Sequence, residues 1–339
     1  MRIEPLSARP WLVLAAITLA VVAAGLAGLV DADGWRMGVT AITGLALASL
    51  MLAMIGSLLR REWLDLVEDE LLPAGATLPV CLVLALPLVG QTEMASALVT
   101  RGIEETARRE AWFADWFVLL RLAGSFALAL GFVAAMIRLR PLRREVAMIG
   151  LPLVATAFAV LLIDWDLVRA PRWWTPIVPF IAITGHLAGA LAITFIYHLA
   201  QREKGDRIEF RSLAATLLSL ALLSIWASVV QYLIAWYGNL PDAAGWYLAR
   251  FEGAPGLLPL SALVAGAAVF LLLWSRRQKV MLIASILMLA AYLMHTVWWF
   301  AGADLPDLAS FAAVFAVWAA WLWLLGAWYD ARIGPAQGA

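Results

Sequence analysis

The sequence predicts an all-α polytopic membrane protein with about ten transmembrane helices, and three observations predict it. Of its 339 residues, 64% are hydrophobic and only 14% charged, where an ordinary soluble domain is roughly a quarter charged. The apolar residues fall in repeated runs of about twenty, the length a helix needs to cross roughly 30 Å of hydrocarbon. Lys and Arg gather on alternate connections between those runs. A water-soluble core cannot hide so much apolar surface, so lipid must take it up.

The runs lie near residues 11 to 30, 37 to 59, 72 to 90, 116 to 136, 146 to 163, 176 to 198, 211 to 236, 256 to 274, 279 to 300 and 308 to 329. Val30 and Ala32 are small enough for a cleavage site, but the first run exceeds the roughly 7 to 15 apolar residues of a signal peptide, so it reads as a permanent helix. Pro73, Pro79 and Pro87 interrupt the third run, which membrane helices tolerate where neighbours satisfy the freed carbonyls. The seventh run stops at Trp236 to Pro241, because Gly238 and Asn239 accept left-handed geometry and Pro241 cannot continue a helix. The longest connections, near 91 to 115 and 237 to 255, are too short to fold alone. The chain therefore reads as one integral membrane domain over 1–339, with no internal repeat.

Charge placement orients the layout. Of the 24 Lys and Arg residues, 16 fall on the side holding both termini. The opposite side holds Arg36, Arg101, Arg108, Arg109, Arg169, Arg172 and Arg250, and Arg121 lies within a helix. The positive-inside bias puts both termini in the cytoplasm. Many of the 18 tryptophans sit near run ends, among them Trp35, Trp63, Trp116, Trp236, Trp246, Trp274 and Trp298, where headgroup-level rings are expected. A net charge of +0 gives no reason to expect a nucleic-acid partner. The one cysteine, Cys81, lies in an apolar run and builds no disulfide, zinc site or cysteine-ligated cluster by itself.

Ionisable side chains inside a membrane are costly, and by default they suggest function. Arg121 lies about a turn into the fourth run from its outer end, and His186 lies near mid-bilayer in the sixth. Gln231, beside Tyr232, and His295 lie within about two turns of the outer ends of the seventh and ninth runs. Asp115, Asp164 and Asp166 read as outer-face helix caps. These positions concentrate polar groups in the outer half and leave the inner half plain. Each has a bland alternative. Arg121 can snorkel to headgroups, and His186, beside Gly185, Ala188 and Gly189, can hydrogen-bond across a close helix contact. His186 and His295 as axial haem ligands would need similar depths, and theirs differ by a turn or two. His198 reads as an interfacial residue at the cytoplasmic end.

Longer strings carry a resemblance. Ser228 to Asp242, Ser-Val-Val-Gln-Tyr-Leu-Ile-Ala-Trp-Tyr-Gly-Asn-Leu-Pro-Asp, with Gly245 to Arg250, Gly-Trp-Tyr-Leu-Ala-Arg, resembles the helix-end motif of the second NrfD-like (polysulfide-reductase-type) membrane subunit of bacterial alternative complex III, a quinol-oxidising respiratory complex. Asp164 to Thr175 resembles that family's join between helices five and six, and Trp112 to Arg121 its entry to helix four. The likeness runs loosely from about Leu45 to Trp328. Two features depart from it: Pro171-Arg172-Trp173 stands where Pro-His-Trp is expected, and Glu68, Asp69 and Glu70 replace a stretch containing tryptophan and histidine.

The resemblance implies two four-helix bundles, at 37–163 and 176–300, in a bacterial inner membrane. It implies a sister NrfD-like subunit, an outer-face iron-sulfur protein and cytochrome c subunits as partners beside lipid, with iron-sulfur clusters and haem c held by those partners and a quinone as the possible ligand here. No cofactor is expected on this chain alone. Quinone-pocket or proton-path candidates are Arg121, Asp164, Asp166, His186, Gln231, Tyr232 and His295, with Arg121 holding a carboxylate or a quinone oxygen. The alternatives are a purely structural anchor and a solitary transporter. Against the latter, no inverted repeat or pair of unwound helices is visible.

Overall fold

The computed structural model describes residues 8–59, 62–89, 112, 114–165, 175, 177–201, 211–275, 277–302 and 305–332. Among them there is no strand, and the α-helices are α1 (Ala8–Leu26), α2 (Ala32–Leu59), α3 (Glu62–Gly75), α4 (Leu78–Val89), α5 (Asp115–Arg138), α6 (Arg143–Trp165), α7 (Ile177–Gln201), α8 (Arg211–Tyr237), α9 (Pro241–Gly253), α10 (Leu257–Trp274), α11 (Gln278–Phe300) and α12 (Leu308–Arg332). They supply ten spans long and apolar enough to cross a membrane. The protein is a multi-pass membrane protein. An even number of crossings puts the start of α1 and the end of α12 on one side, called here the terminal end; the other is the distal end.

Helix α2 is the axis of the molecule, buried along most of its length. Composition explains how it reaches that position. Gly38, Ala41, Gly44, Ala48 and Ala53 leave little side chain between its backbone and its neighbours, the usual means of close helix approach in lipid. A Cβ at Gly38 would lie 2.8 Å from Val314 of α12, and one at Gly44 would fall inside the His186 ring of α7. Helices α2, α3–α4, α5 and α6 pack into one ring. A second ring runs from α7 to α8, α10, α11 and back to α7, and it joins the first through α2 and α7. Helices α1 and α12 lie outside, α12 against α2 and α3 and α1 against α12 and α4.

Two elements depart from the sequence expectation. The third span is broken: α3 starts as far back as Glu62, and the chain turns at Ala76 and Thr77 before α4. Thr77 Oγ1 donates to the Ala74 carbonyl (2.6 Å) and accepts Trp318 Nε1–H from α12 (2.8 Å), so a neighbouring helix helps satisfy the interruption. Residues 237 to 255, expected as a connection, instead hold α9. Asn239 takes the left-handed turn (φ 44°), and Pro241 opens the next helix rather than only ending the last. The tryptophans also divide. Trp236 is 69% exposed at the end of α8, as a headgroup-level ring should be, whereas Trp35 is 1% exposed and donates Nε1–H to the Leu84 carbonyl (2.9 Å). Trp63, Trp246 and Trp298 are buried too, the last two packed edge-on against each other.

Candidate functional site

The candidate residues do not form one cluster. The structure distributes them over three places at different depths.

At the distal end of the first ring, Arg121 of α5 and Asp164 of α6 form a two-pronged ion pair, Nε to Oδ2 at 3.0 Å and Nη2 to Oδ1 at 2.7 Å. Their side chains are 7% and 3% exposed, so Arg121 does not snorkel. Its remaining terminal nitrogen donates to the Trp112 carbonyl at 2.5 Å, and its guanidinium sits 4.2 Å from the Trp112 ring centroid and 4.7 Å from that of Phe117. Asp164 lies within the last turn of α6 and is no cap; a carboxylate is disfavoured at a helix C-terminus, and the guanidinium answers its charge. Asp166 and the side chain of Asp115 lie outside the described residues.

At the seam between the rings, His186 of α7 bonds through Nδ1 to the Tyr292 hydroxyl of α11 at 2.7 Å. The close contact expected from its small neighbours is present: a Cβ at Gly189 would lie 2.9 Å from the Tyr292 ring. On its other side the imidazole meets Gly44 of α2.

Inside the second ring is a cavity of about 400 Å³, and Tyr232 and His295 line it. Its polar wall also includes Tyr292, Ser224, Ser228 and Ser261. Sequence reading missed Tyr292, although its place on α11 one turn from His295 was a usable signal. The cavity lies in the distal half of the bundle, since its wall uses the first half of α10 and the second halves of α8 and α11. Val229 (49% exposed), Pro259 and Ala262 are both lining and surface residues, so the cavity opens sideways between α8 and α10, toward lipid rather than water. His186 is absent from this wall. Its hydrogen-bond partner Tyr292 is part of the wall, so His186 touches the cavity only through that hydroxyl. Among the described residues, no group of three or more His, Cys, Asp and Glu is gathered to hold a metal ion.

Gln231 points away from the cavity and is buried, accepting a hydrogen bond from Thr175 Oγ1 at Oε1 (3.0 Å). Above the cavity, α9 forms a lid of rings: Tyr247 meets Tyr232 edge-on with centroids 5.3 Å apart, and Trp246 meets Trp298 at 5.6 Å. Arg250 stacks 3.5 Å over Trp246 and donates to the Trp299 carbonyl (2.9 Å). Burial, followed by proximity to Tyr232, pushes the Tyr247 phenol above its ordinary value, while Arg250 pulls the other way; the hydroxyl stays protonated.

The terminal end is not plain, contrary to the sequence reading. His198 is buried rather than interfacial and pairs through Nδ1 with Glu70 Oε1 at 2.5 Å. Glu68 pairs with Arg143. The carboxylates come from the acidic run before the third span, and α3 places them there only because it extends back to Glu62.

Compared with models of known protein families and with curated proteins, the sequence matches neither. The fold and its buried polar groups define a class, a ten-span α-helical membrane protein with a lateral apolar cavity.

Proposed function

We propose that the chain is a non-haem membrane subunit of a quinol-oxidising respiratory complex of the alternative complex III type, and that its cavity receives the ring of an isoprenoid quinone. The observation that carries this reading is the cavity of about 400 Å³, which opens to lipid between α8 and α10 and presents Tyr232, Tyr292 and His295 along otherwise apolar walls. Such a site suits a ligand that is mostly apolar, arrives through the bilayer and offers a few oxygens to hydrogen-bond. A quinol gives up protons together with electrons. On this reading phenol and imidazole hold the ring oxygens, and the protons pass to imidazoles, to His295 directly and to His186 through the Tyr292 hydroxyl bonded to it, while the electrons pass to an iron-sulfur protein bound at the distal face. The charge bias then places the terminal end in the cytoplasm of a bacterial inner membrane, and a sister NrfD-like subunit and cytochrome c subunits complete the assembly.

The test uses a photoreactive quinone analogue with the full chain in lipid nanodiscs. Labelled peptides should come from α8 and α10, and Ala262→Trp, which narrows the mouth, should suppress them. Labelling spread evenly over lipid-facing helices and indifferent to Ala262→Trp overturns the cavity assignment. Isolation from native membranes in mild detergent, followed by mass spectrometry, should recover an iron-sulfur protein and a second multi-pass subunit; their absence rejects the complex.

One observation favours a second reading, a structural anchor. Arg121 and Asp164 are held to each other by two hydrogen bonds, and neither lines the large cavity. On that reading, substitutions at Arg121 lose partner subunits in a pull-down, while any assembled fraction keeps full quinol-dependent electron transfer.

A further inference from the structure

Two glutamates, two positions apart on α3, are treated differently. Glu68 pairs with Arg143, whose guanidinium is a permanent cation; Arg143 also donates Nε–H to the Met136 carbonyl (2.7 Å) and lies beside the Tyr329 hydroxyl. Glu70 pairs instead with His198, an imidazole that can gain or lose a proton.

Each partner of the second pair keeps spare bonding capacity. Among the described residues, Glu70 Oε2 and His198 Nε2 are buried without a hydrogen-bond partner, although buried polar atoms in folded proteins are normally satisfied. The His198 side chain is 7% exposed. Glu70 also faces a small cavity of about 10 Å³ shared with Thr194, Tyr197 and Gly326, at the lower limit of space for one water molecule. In the Arg121–Asp164 pair, by contrast, both carboxylate oxygens accept a hydrogen bond.

We propose that Glu70 and His198 form a proton-exchange site at the terminal end of the bundle. The pair takes up protons from water that reaches the small cavity, first on the imidazole and then on the carboxylate, and returns them to the same side. No electron transfer or bond to a heavy atom is involved. Among the described residues, the charged or titratable groups at this end, on helices packed around the pair, include Glu68 on α3, Arg138 on α5, Arg143, Arg144 and Glu145 on α6, Tyr197 on α7, Arg211 on α8, Lys279 on α11 and Tyr329 on α12; of these, Tyr197 shares the small cavity. His198 is separated from His186 by about 18 Å of helix at 1.5 Å per residue, and Leu187 to Ile193 between them is wholly apolar. The site therefore exchanges with the terminal side and not with the large cavity, and it does not depend on what that cavity binds.

The experiment is infrared difference titration of the full chain in lipid nanodiscs. Subtracting the Glu70→Gln spectra from those of the native chain, which cancels the other carboxyls, should leave a protonated-carboxyl band that grows as the pH is lowered. His198→Gln should displace the midpoint of that band to higher pH by withdrawing the imidazolium. Absence of a Glu70-dependent band, or a midpoint that ignores His198→Gln, overturns the site. Because either variant can misfold, the unmodified chain supplies a second arm. With ¹⁵N-labelled histidine, at least one imidazole should change its protonation with pH, and absence of any titrating imidazole in the native chain also overturns the proposal.

Discussion

The first ring and the second answer the cost of burying polar groups in opposite ways. At the distal end of the first ring, Arg121 and Asp164 bind each other through two hydrogen bonds and two aromatic rings cover the cation. At the same end of the second ring, Tyr232, Tyr292 and His295 border open space that reaches the lipid. An ionised residue inside a membrane is thus not by itself a pointer to a ligand. The pointer is polar capacity left beside a void, and by that criterion the neutral phenols and imidazole outrank the arginine.

Five substitutions, the last read as a pH profile, test this contrast, the strongest first. Arg121→Leu leaves the Asp164 carboxylate buried without its partner and should cost about 3–5 kcal/mol of stability, read as a large fall in the thermal unfolding midpoint of the detergent-solubilised chain. A loss below about 1 kcal/mol would erase the distinction between the rings. Gly44→Ala drives a methyl group into the His186 ring at the seam and should cost about 1–3 kcal/mol through overpacking. It should also weaken quinone-analogue labelling, because His186 holds the Tyr292 hydroxyl of the cavity wall. Trp318→Phe removes the indole donor to Thr77 and should cost about 1 kcal/mol, without changing the labelling.

Ala262→Trp, at the exposed rim, should alter stability by less than about 0.5 kcal/mol while suppressing the labelling. That pairing separates a ligand space from a packing element. The smallest effect is expected at the join of α2 and α12. Asp307 Oδ2 accepts from the Ser310 amide (2.9 Å) and hydroxyl (2.6 Å), and Ser310 Oγ accepts from the Asp31 amide (3.2 Å). These bonds hold the exposed Asp307 carboxyl below its ordinary value of 3.8. A depressed carboxyl lends stability that is present above its unfolded value and lost as pH falls through the folded one. Asp307→Asn should therefore lower stability slightly at neutral pH and leave it unchanged below the folded value, flattening the acid limb of the profile.

Most of the span layout was legible because lipid imposes a length and a polarity that one sequence displays directly. The first span ends at Leu26, ahead of the expected 30, and Gly28 turns there with φ +69°. The break at Ala76 and Thr77 was only half visible. Prolines announced an interruption, but the acceptor for Trp318 lies 241 positions away, and nothing in a linear reading pairs such residues. Helix α9 was hidden by its own motif, since a string ending in Pro241 reads equally as a stop and as the first turn of a new helix. Among site residues, His186, Gln231 and Arg121 were visible as costly groups, yet their partners Tyr292, Thr175 and Asp164 are fixed by how helices rotate against each other. Glu70 and His198 were passed over because each stands near a run end, where charge looks ordinary; only the backward extension of α3 brings them into the interior.

The sideways mouth between α8 and α10 has a consequence for any experiment on the large cavity. An occupant entering there is drawn from the membrane phase, so occupancy follows its mole fraction among the lipids and not its concentration in buffer. Doubling the lipid supplied to a fixed amount of protein and probe should dilute a strongly partitioning ligand as though buffer had been added to a soluble receptor, and apparent affinities for this protein are comparable only at matched lipid-to-protein ratios.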